Sequence, residues 1–341
     1  MESQMSNKFL STTSAFLLST SMLVADVPKV TVDIAPVHSL VSKIMNGVSK
    51  PDLIIPAGAS PHEYQLKPSN AKSLEDADIV FWIGEDLTPW LEKGLLSLAQ
   101  DSSITGLLGV DGIELLSFRE GALFEAHDHD DHDDHDDHGK KKHDDHDDHD
   151  DHGKKKHDDH DDHDDHDEHA HGDHDPHAWL SPQIAKVWLN VIAAKLSEAD
   201  PDNAGKYFSN AKLARDNMDS LVSEVNSILD PIRDKKFVVF HDAYQYFEKD
   251  FGISASGAIS MGDASDPSPA RLAEIRKRVV DEAVECVLAE PQYNQGLVKA
   301  VVEGTNANTA VIDPIGVKLE SGPDLYENLI RNLATNLAKC F

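Results

Sequence analysis

Short apolar runs alternate with helix-start signals along most of this chain, and that alternation restricts its fold more than any other feature. Val30 to Ala35, Leu53-Ile54-Ile55 and Ile79 to Ile83 read as buried strands. Helical patterning follows each of them, from about Pro36, from Pro68-Ser69-Asn70, and over Trp90 to Leu98. After Pro231 the pattern restarts. Phe237 to Phe240, Cys286 to Ala289 and Ala310 to Ile312 read as strands, while Ser268-Pro269 to Val280, Gln295 to Glu303 and Pro323 to about Lys339 read as helices. Strands separated by helices in this way pair in parallel, because a parallel pair needs a crossover connection.

Between the two series lie two further helix starts. Ser181-Pro182 offers an N-cap followed by proline at the first helical position, and Asp200-Pro201 repeats the signal. The second helix carries Phe208, Ala211, Met218, Leu221, Val222, Val225, Ile228 and Leu229 at mostly three- and four-residue spacing. Its length, about 28 residues or ~40 Å, suits a stiff connector. The expected architecture is therefore α/β with two lobes, each a mostly parallel sheet flanked by helices, joined by a long rigid linker helix. We expect an N-terminal lobe over 26–199, the linker over 200–230 and a C-terminal lobe over 231–341.

Residues 127–174 interrupt this plan. They hold sixteen of the chain's 20 histidines in an almost pure Asp/His background. The unit His129 to Lys142 recurs identically from His143 to Lys156 and begins again at His157. No apolar residue lies between His127 and Glu168, so the tract cannot bury a core and reads as a disordered insertion in a surface loop. Imidazole at this density binds divalent metal. The candidate auxiliary ligands are His129, His132, His135, His138, His143, His146, His149, His152, His157, His160, His163, His166, His169, His171 and His174. A tract without fixed geometry is nevertheless a poor selective site, which moves attention to the four histidines outside it.

Charge and composition narrow the class. The formal net charge is −31, and the tract's 22 acidic residues against six lysines account for only about half of it. An acidic body argues against nucleic acid and suits a cationic ligand. Residues 1–25 read as a secretory leader: Lys8 precedes the apolar stretch Phe9 to Ala25. No later apolar run is long enough to span a bilayer. Cys286 and Cys340 could form a bridge or remain two free buried thiols; export favours the bridge.

Outside the tract stand His38, His62, His177 and His241. His62 lies in a loop after a strand, His241 and Asp313 directly end strands, and His177 precedes a helix N-terminus. Ligands of open parallel sheets bind beyond the carboxyl ends of strands. Three histidines and one aspartate make a four-coordinate set that zinc accepts. Glu290, also at a strand end, is a candidate to hold a ligand imidazole from behind. His38, beside Pro36, reads as a first-turn or packed side chain. Trp82, Trp90, Trp179 and Trp188 read as core or cleft-wall residues.

Four motifs then stand out together: Gly58-Ala59-Ser60-Pro61-His62-Glu63-Tyr64, Asp175-Pro176-His177-Ala178-Trp179-Leu180-Ser181-Pro182, His241-Asp242-Ala243-Tyr244 and Ile312-Asp313-Pro314-Ile315-Gly316. In these the chain resembles the metal-binding solute-binding proteins of ABC importers, most of all their zinc-specific ZnuA branch. The resemblance implies two α/β lobes with a Zn²⁺ ion between them, held by His62, His177, His241 and Asp313. It implies a disulfide between Cys286 and Cys340, and a periplasmic monomer that serves a permease and its ATPase rather than an enzyme. His241 stands where manganese-specific relatives tend to carry glutamate, and Pro61 stands where some zinc-branch members have an acidic residue, so Asp313 or water completes the set. The loops bearing His62 and His177 are expected to be mobile without metal. Rival readings are a manganese-binding paralogue, a zinc storage protein built around the tract, and a secreted zinc hydrolase. The hydrolase is disfavoured by the lack of a His-Glu-x-x-His motif.

Overall fold

The computed structural model describes residues 27–119, 124, 174–260 and 267–341. The expected leader and all of the tract's histidines except His174 lie outside the described residues.

Among the described residues the strands form two four-stranded sheets. In the first, β1 (Val30–Val32), β2 (Asp52–Leu53), β3 (Ile79–Trp82) and β4 (Ser103–Gly106) lie in the order β2-β1-β3-β4. In the second, β5 (Phe237–His241), β6 (Ala258–Ser260), β7 (Cys286–Ala289) and β8 (Asn308–Val311) lie in the order β6-β5-β7-β8. Every pairing is parallel, and the two halves share one topology. The helices are α1 (Ala35–Ile44), α2 (Pro68–Glu75), α3 (Pro89–Leu98), α4 (Pro182–Ala199), α5 (Ala204–Leu229), α6 (Gln245–Phe251), α7 (Pro269–Asp281), α8 (Gln295–Val302) and α9 (Leu325–Ala338).

Three elements were not foreseen. β4 is a polar, exposed edge strand with one aliphatic residue, and β6 is three residues long. Neither is long enough to show a period. α6 is rich in aromatic residues and lacks a side-chain cap; it ends at Gly252, whose φ of 63° is a left-handed stop.

α5 is the long joining helix. Its buried stripe is Tyr207, Ala211, Ala214, Met218, Leu221, Val225 and Leu229, spaced three and four apart. Phe208, expected on that stripe, is 53% exposed, and its neighbour Tyr207 takes the buried place with its hydroxyl donating to Asp200 at 2.8 Å. α5 packs on α1 and α4 of the first half and on α9 and α6 of the second.

The last helix, α9, also reaches across the halves. Ser39 of α1 donates to the Pro323 carbonyl and accepts from the Tyr326 N–H, both at 3.0 Å, and Lys43 pairs with Glu327 at 2.8 Å. One apolar cluster accordingly runs through both halves, from Val30 and Leu40 through Trp188 to Leu288 and Leu333. A smaller one fills the other face of the second sheet, where Val238, Phe240 and Val287 alternate with residues of the first. Cys286 and Cys340 are joined, with Cα atoms 5.8 Å apart, so β7 is bonded to the end of α9.

Candidate metal centre

His241 is the last residue of β5, and Glu290 follows β7, the strand beside it. Parallel pairing thus brings the two to the same carboxyl edge. His241 Nδ1 lies 2.7 Å from Glu290 Oε1. A carboxylate only accepts, so Nδ1 carries the ring proton and Nε2 presents a lone pair.

His177 repeats this arrangement locally. Asp175 Oδ1 accepts from the His177 backbone N–H at 2.9 Å and from its Nδ1 at 2.7 Å. Asp175, His177, His241 and Glu290 are all buried. Behind them Tyr244 is buried beside Glu290; burial first, then the Glu290 charge, pushes its phenol well above the ordinary range.

The two prepared nitrogens face one another. His177 Nε2 and His241 Nε2 are 3.4 Å apart. Two lone pairs do not attract, but two nitrogens bound to one tetrahedral zinc at about 2.0–2.1 Å stand about 3.3–3.4 Å apart.

His62 completes a group of three whose ligand atoms all lie within 4.8 Å of one another. Its ring centroid is 5.6 Å from that of His177 and 6.5 Å from that of His241. Like His177 it sits on a loop, but unlike the other two it is only half-buried. Trp90 Nε1 donates to the Pro61 carbonyl at 2.8 Å, and Asn70, which accepts from Tyr64 Oη at 2.9 Å, donates to the Ile54 carbonyl at 2.9 Å.

The group opens on a cavity of about 20 Å³ lined by Ser60, Pro61, Trp179, Gln292, Tyr293, Pro314 and Ile315 as well as the histidines and Glu290. That is room for roughly one water-sized particle. It accommodates a single ion and no organic substrate of ordinary size.

Asp313 is not in that group. Its Oδ1 accepts from the N–H groups of Ile315 at 3.2 Å and Gly316 at 2.9 Å and from Gln292 Nε2 at 3.4 Å; its Oδ2 accepts from the Val317 N–H at 2.6 Å. The carboxylate closes the turn after β8. His38 is used in the fold: Nε2 lies 3.1 Å from the Pro51 carbonyl oxygen, and burial lowers its pKa. Trp179 and Trp90 line or brace the cleft, Trp179 Nε1 donating to the Pro314 carbonyl at 2.8 Å. Asp175 escaped the sequence reading. Its position two residues before a histidine, with only proline between, was the available signal.

Residues 30–340 match the family described as ZnuA, zinc-uptake complex component A periplasmic. The chain is 45% identical over 329 residues to the high-affinity zinc uptake system protein ZnuA of Brucella abortus (strain 2308), covering 96% of each. It superposes on a crystal structure of ZnuA with a TM-score of 0.70 at 22% identity, over 92% of this chain and 99% of that one. It also superposes on FpvC of Pseudomonas aeruginosa, solved in complex with Mn²⁺, with a TM-score of 0.69 at 18% identity, over 92% and 97% of the two chains. These two share its fold.

Proposed function

The chain belongs to the ZnuA family of periplasmic zinc-uptake components, and from that membership we propose that it captures one Zn²⁺ on His62, His177 and His241 and yields it to an ABC importer. It is a solute-binding transport protein and not an enzyme. The observation that carries the residue assignment is the pair of Nε2 atoms 3.4 Å apart, each on a ring whose Nδ1 faces a buried carboxylate.

Three imidazoles favour zinc over the harder manganese, which prefers more oxygen ligands. We assign the fourth position to water, since Asp313, which holds the turn after β8 through three backbone N–H groups and an amide, is not in the group formed by the three histidines. Glu290 orients His241. The tract histidines bind further zinc at weaker, exchanging positions. The carrier works as a monomer downstream of a cleaved leader and docks on a permease driven by its ATPase.

The test is chelator competition with Zn²⁺ and Mn²⁺ on the wild type and on His62→Ala, His177→Ala, His241→Ala and Asp313→Asn. Each histidine variant should lose the tight zinc site. Asp313→Asn should stay within about tenfold of the wild type, in line with a residue outside the ligand set. Tight binding that survives all three histidine changes would reject the assignment. Preference for Mn²⁺ would select the manganese reading.

A further inference from the structure

The polar groups behind the histidines have their partners close by. Asp175 is fully engaged: Oδ1 serves His177, Oδ2 accepts from Gln245 Nε2 of α6 at 3.1 Å, and its carbonyl accepts from Tyr246 Oη of α6 at 2.9 Å. Glu290 Oε1 serves His241; Oε2 is buried without a bond, with the Tyr244 phenol as the donor beside that carboxylate.

Two further polar atoms differ. Ser60 Oγ and Gln292 Oε1 are buried and meet no hydrogen-bond partner, and both residues line the cavity on which the three histidines open. One comes from each half. Ser60 stands on the loop after β2, two residues ahead of His62, and Gln292 follows β7, two residues beyond Glu290. Leaving a buried acceptor unpaired costs about 1–3 kcal/mol, so each of these atoms calls for a donor.

Gln292 is fixed in the sense that makes it an acceptor there. Its Nε2 lies 3.4 Å from Asp313 Oδ1. A carboxylate only accepts, so the amide must turn its nitrogen to Asp313 and keep its oxygen for the other side. Asp313 is held in turn by the N–H groups of Ile315, Gly316 and Val317. A chain of contacts thus runs from the turn after β8, through Asp313, to an oxygen at the metal centre.

A water on zinc gives a lone pair to the metal and has two hydrogens to donate, so it needs two acceptors. An anion in that position has no hydrogen to offer and would meet the Gln292 oxygen with like polarity. Building on the zinc-site reading above, we propose that Gln292 and Ser60 are positioning residues for the fourth ligand: Oε1 and Oγ accept the two hydrogens of the metal-bound water. The pair selects a neutral fourth ligand over an anionic one. Asp313 then acts on the ion through Gln292, without touching it.

The test uses the full chain with Zn²⁺ or Co²⁺, chelator-buffered to fill only the tight site. Gln292→Leu and Ser60→Ala should each weaken zinc binding roughly tenfold, the low end for groups that act through a ligand, and keep one tight metal per chain. Each should also shift the visible ligand-field band of bound Co²⁺ while the melting temperature of the apo protein stays nearly unchanged. Ser60→Thr, which restores the hydroxyl, should recover what Ser60→Ala loses. Azide, an anionic probe, should move the Co²⁺ band at lower concentration in Gln292→Leu than in the wild type. An unshifted band in Gln292→Leu would overturn the role of Gln292, and one in Ser60→Ala that of Ser60, whatever the affinities, with the three histidines left standing. Equal sensitivity to azide would overturn the selection against anions. Tight binding that survives loss of the histidines is a separate result, and it would remove the zinc-site reading itself.

Discussion

A buried carboxylate on Nδ1 does two things to an imidazole: it fixes which nitrogen keeps the proton, and it makes the other a better ligand. Asp175 and Glu290 do this for His177 and His241. Asp175→Asn and Glu290→Gln should each weaken zinc binding about 10- to 100-fold with the histidines intact, measured by chelator competition. A different buried acid governs stability. Asp33 accepts from the N–H groups of Ile34 and Ile83, each at 2.7 Å, and burial raises its pKa to about 7. The folded carboxyl then keeps its proton up to about pH 7, while the unfolded one loses it near 3.8. The stability it contributes is full below the unfolded value and is lost as pH rises towards 7. Asp33→Asn cannot titrate and offers one acceptor for two donors, a cost of about 1–3 kcal/mol. The melting-temperature gap between wild type and Asp33→Asn should therefore be wider at pH 5 than at pH 8. His241 and Glu290 were legible because strand ends converge at one edge of a parallel sheet, whereas His62 and His177 were legible through the loop and helix-start motifs that carry them. Asp175 was not, because an aspartate before proline reads as ordinary turn chemistry. Asp313 shares the strand-end position, but the following turn supplies N–H donors that no residue pattern announced.

Among the elements, α5 was readable because its apolar stripe persists over seven turns, although which of Tyr207 and Phe208 faces inward was settled only by packing. Strands β4 and β6 were too short and polar to show a period. The loss that mattered was α6, since that helix holds the His177 segment. Its contacts are long-range hydrogen bonds, which leave no local trace in sequence. The His62 loop invites a direct test at Gly58. An added Cβ there meets only Val317 at 3.6 Å, so the obstacle is the φ of 89° and not space. Gly58→Ala should cost about 1–2 kcal/mol in the conformation described. If the loop relaxes in the apo state, that cost appears as weaker zinc binding, about tenfold, with an almost unchanged melting temperature.

At the scale of the whole molecule, the two sheets and the long helix that joins them followed from the sequence pattern, whereas the way α9 ties the halves together did not. α9 packs on α1 and α5, and one apolar cluster serves both sheets. The division into 26–199, 200–230 and 231–341 remains our proposal for the units of the chain, with the qualification that the His177 segment is fastened to both. The disulfide bonds α9 to β7 across a sequence separation of 54 residues, for which the chain-entropy estimate is roughly 4 kcal/mol. Cys286 and Cys340 do not line the metal-site cavity. Reduction should lower the melting temperature while one tight zinc per chain is retained at temperatures where the reduced protein stays folded. No helix among the described residues is long and apolar enough to cross a membrane. The central claim is that selective zinc capture belongs to His62, His177 and His241 and not to the repeat that dominates the sequence. Calorimetric zinc titration of the chain lacking residues 127–173 tests it most directly. The account predicts one tight site per chain, with the weaker binding of the full chain gone. Loss of the tight site with the tract would contradict it.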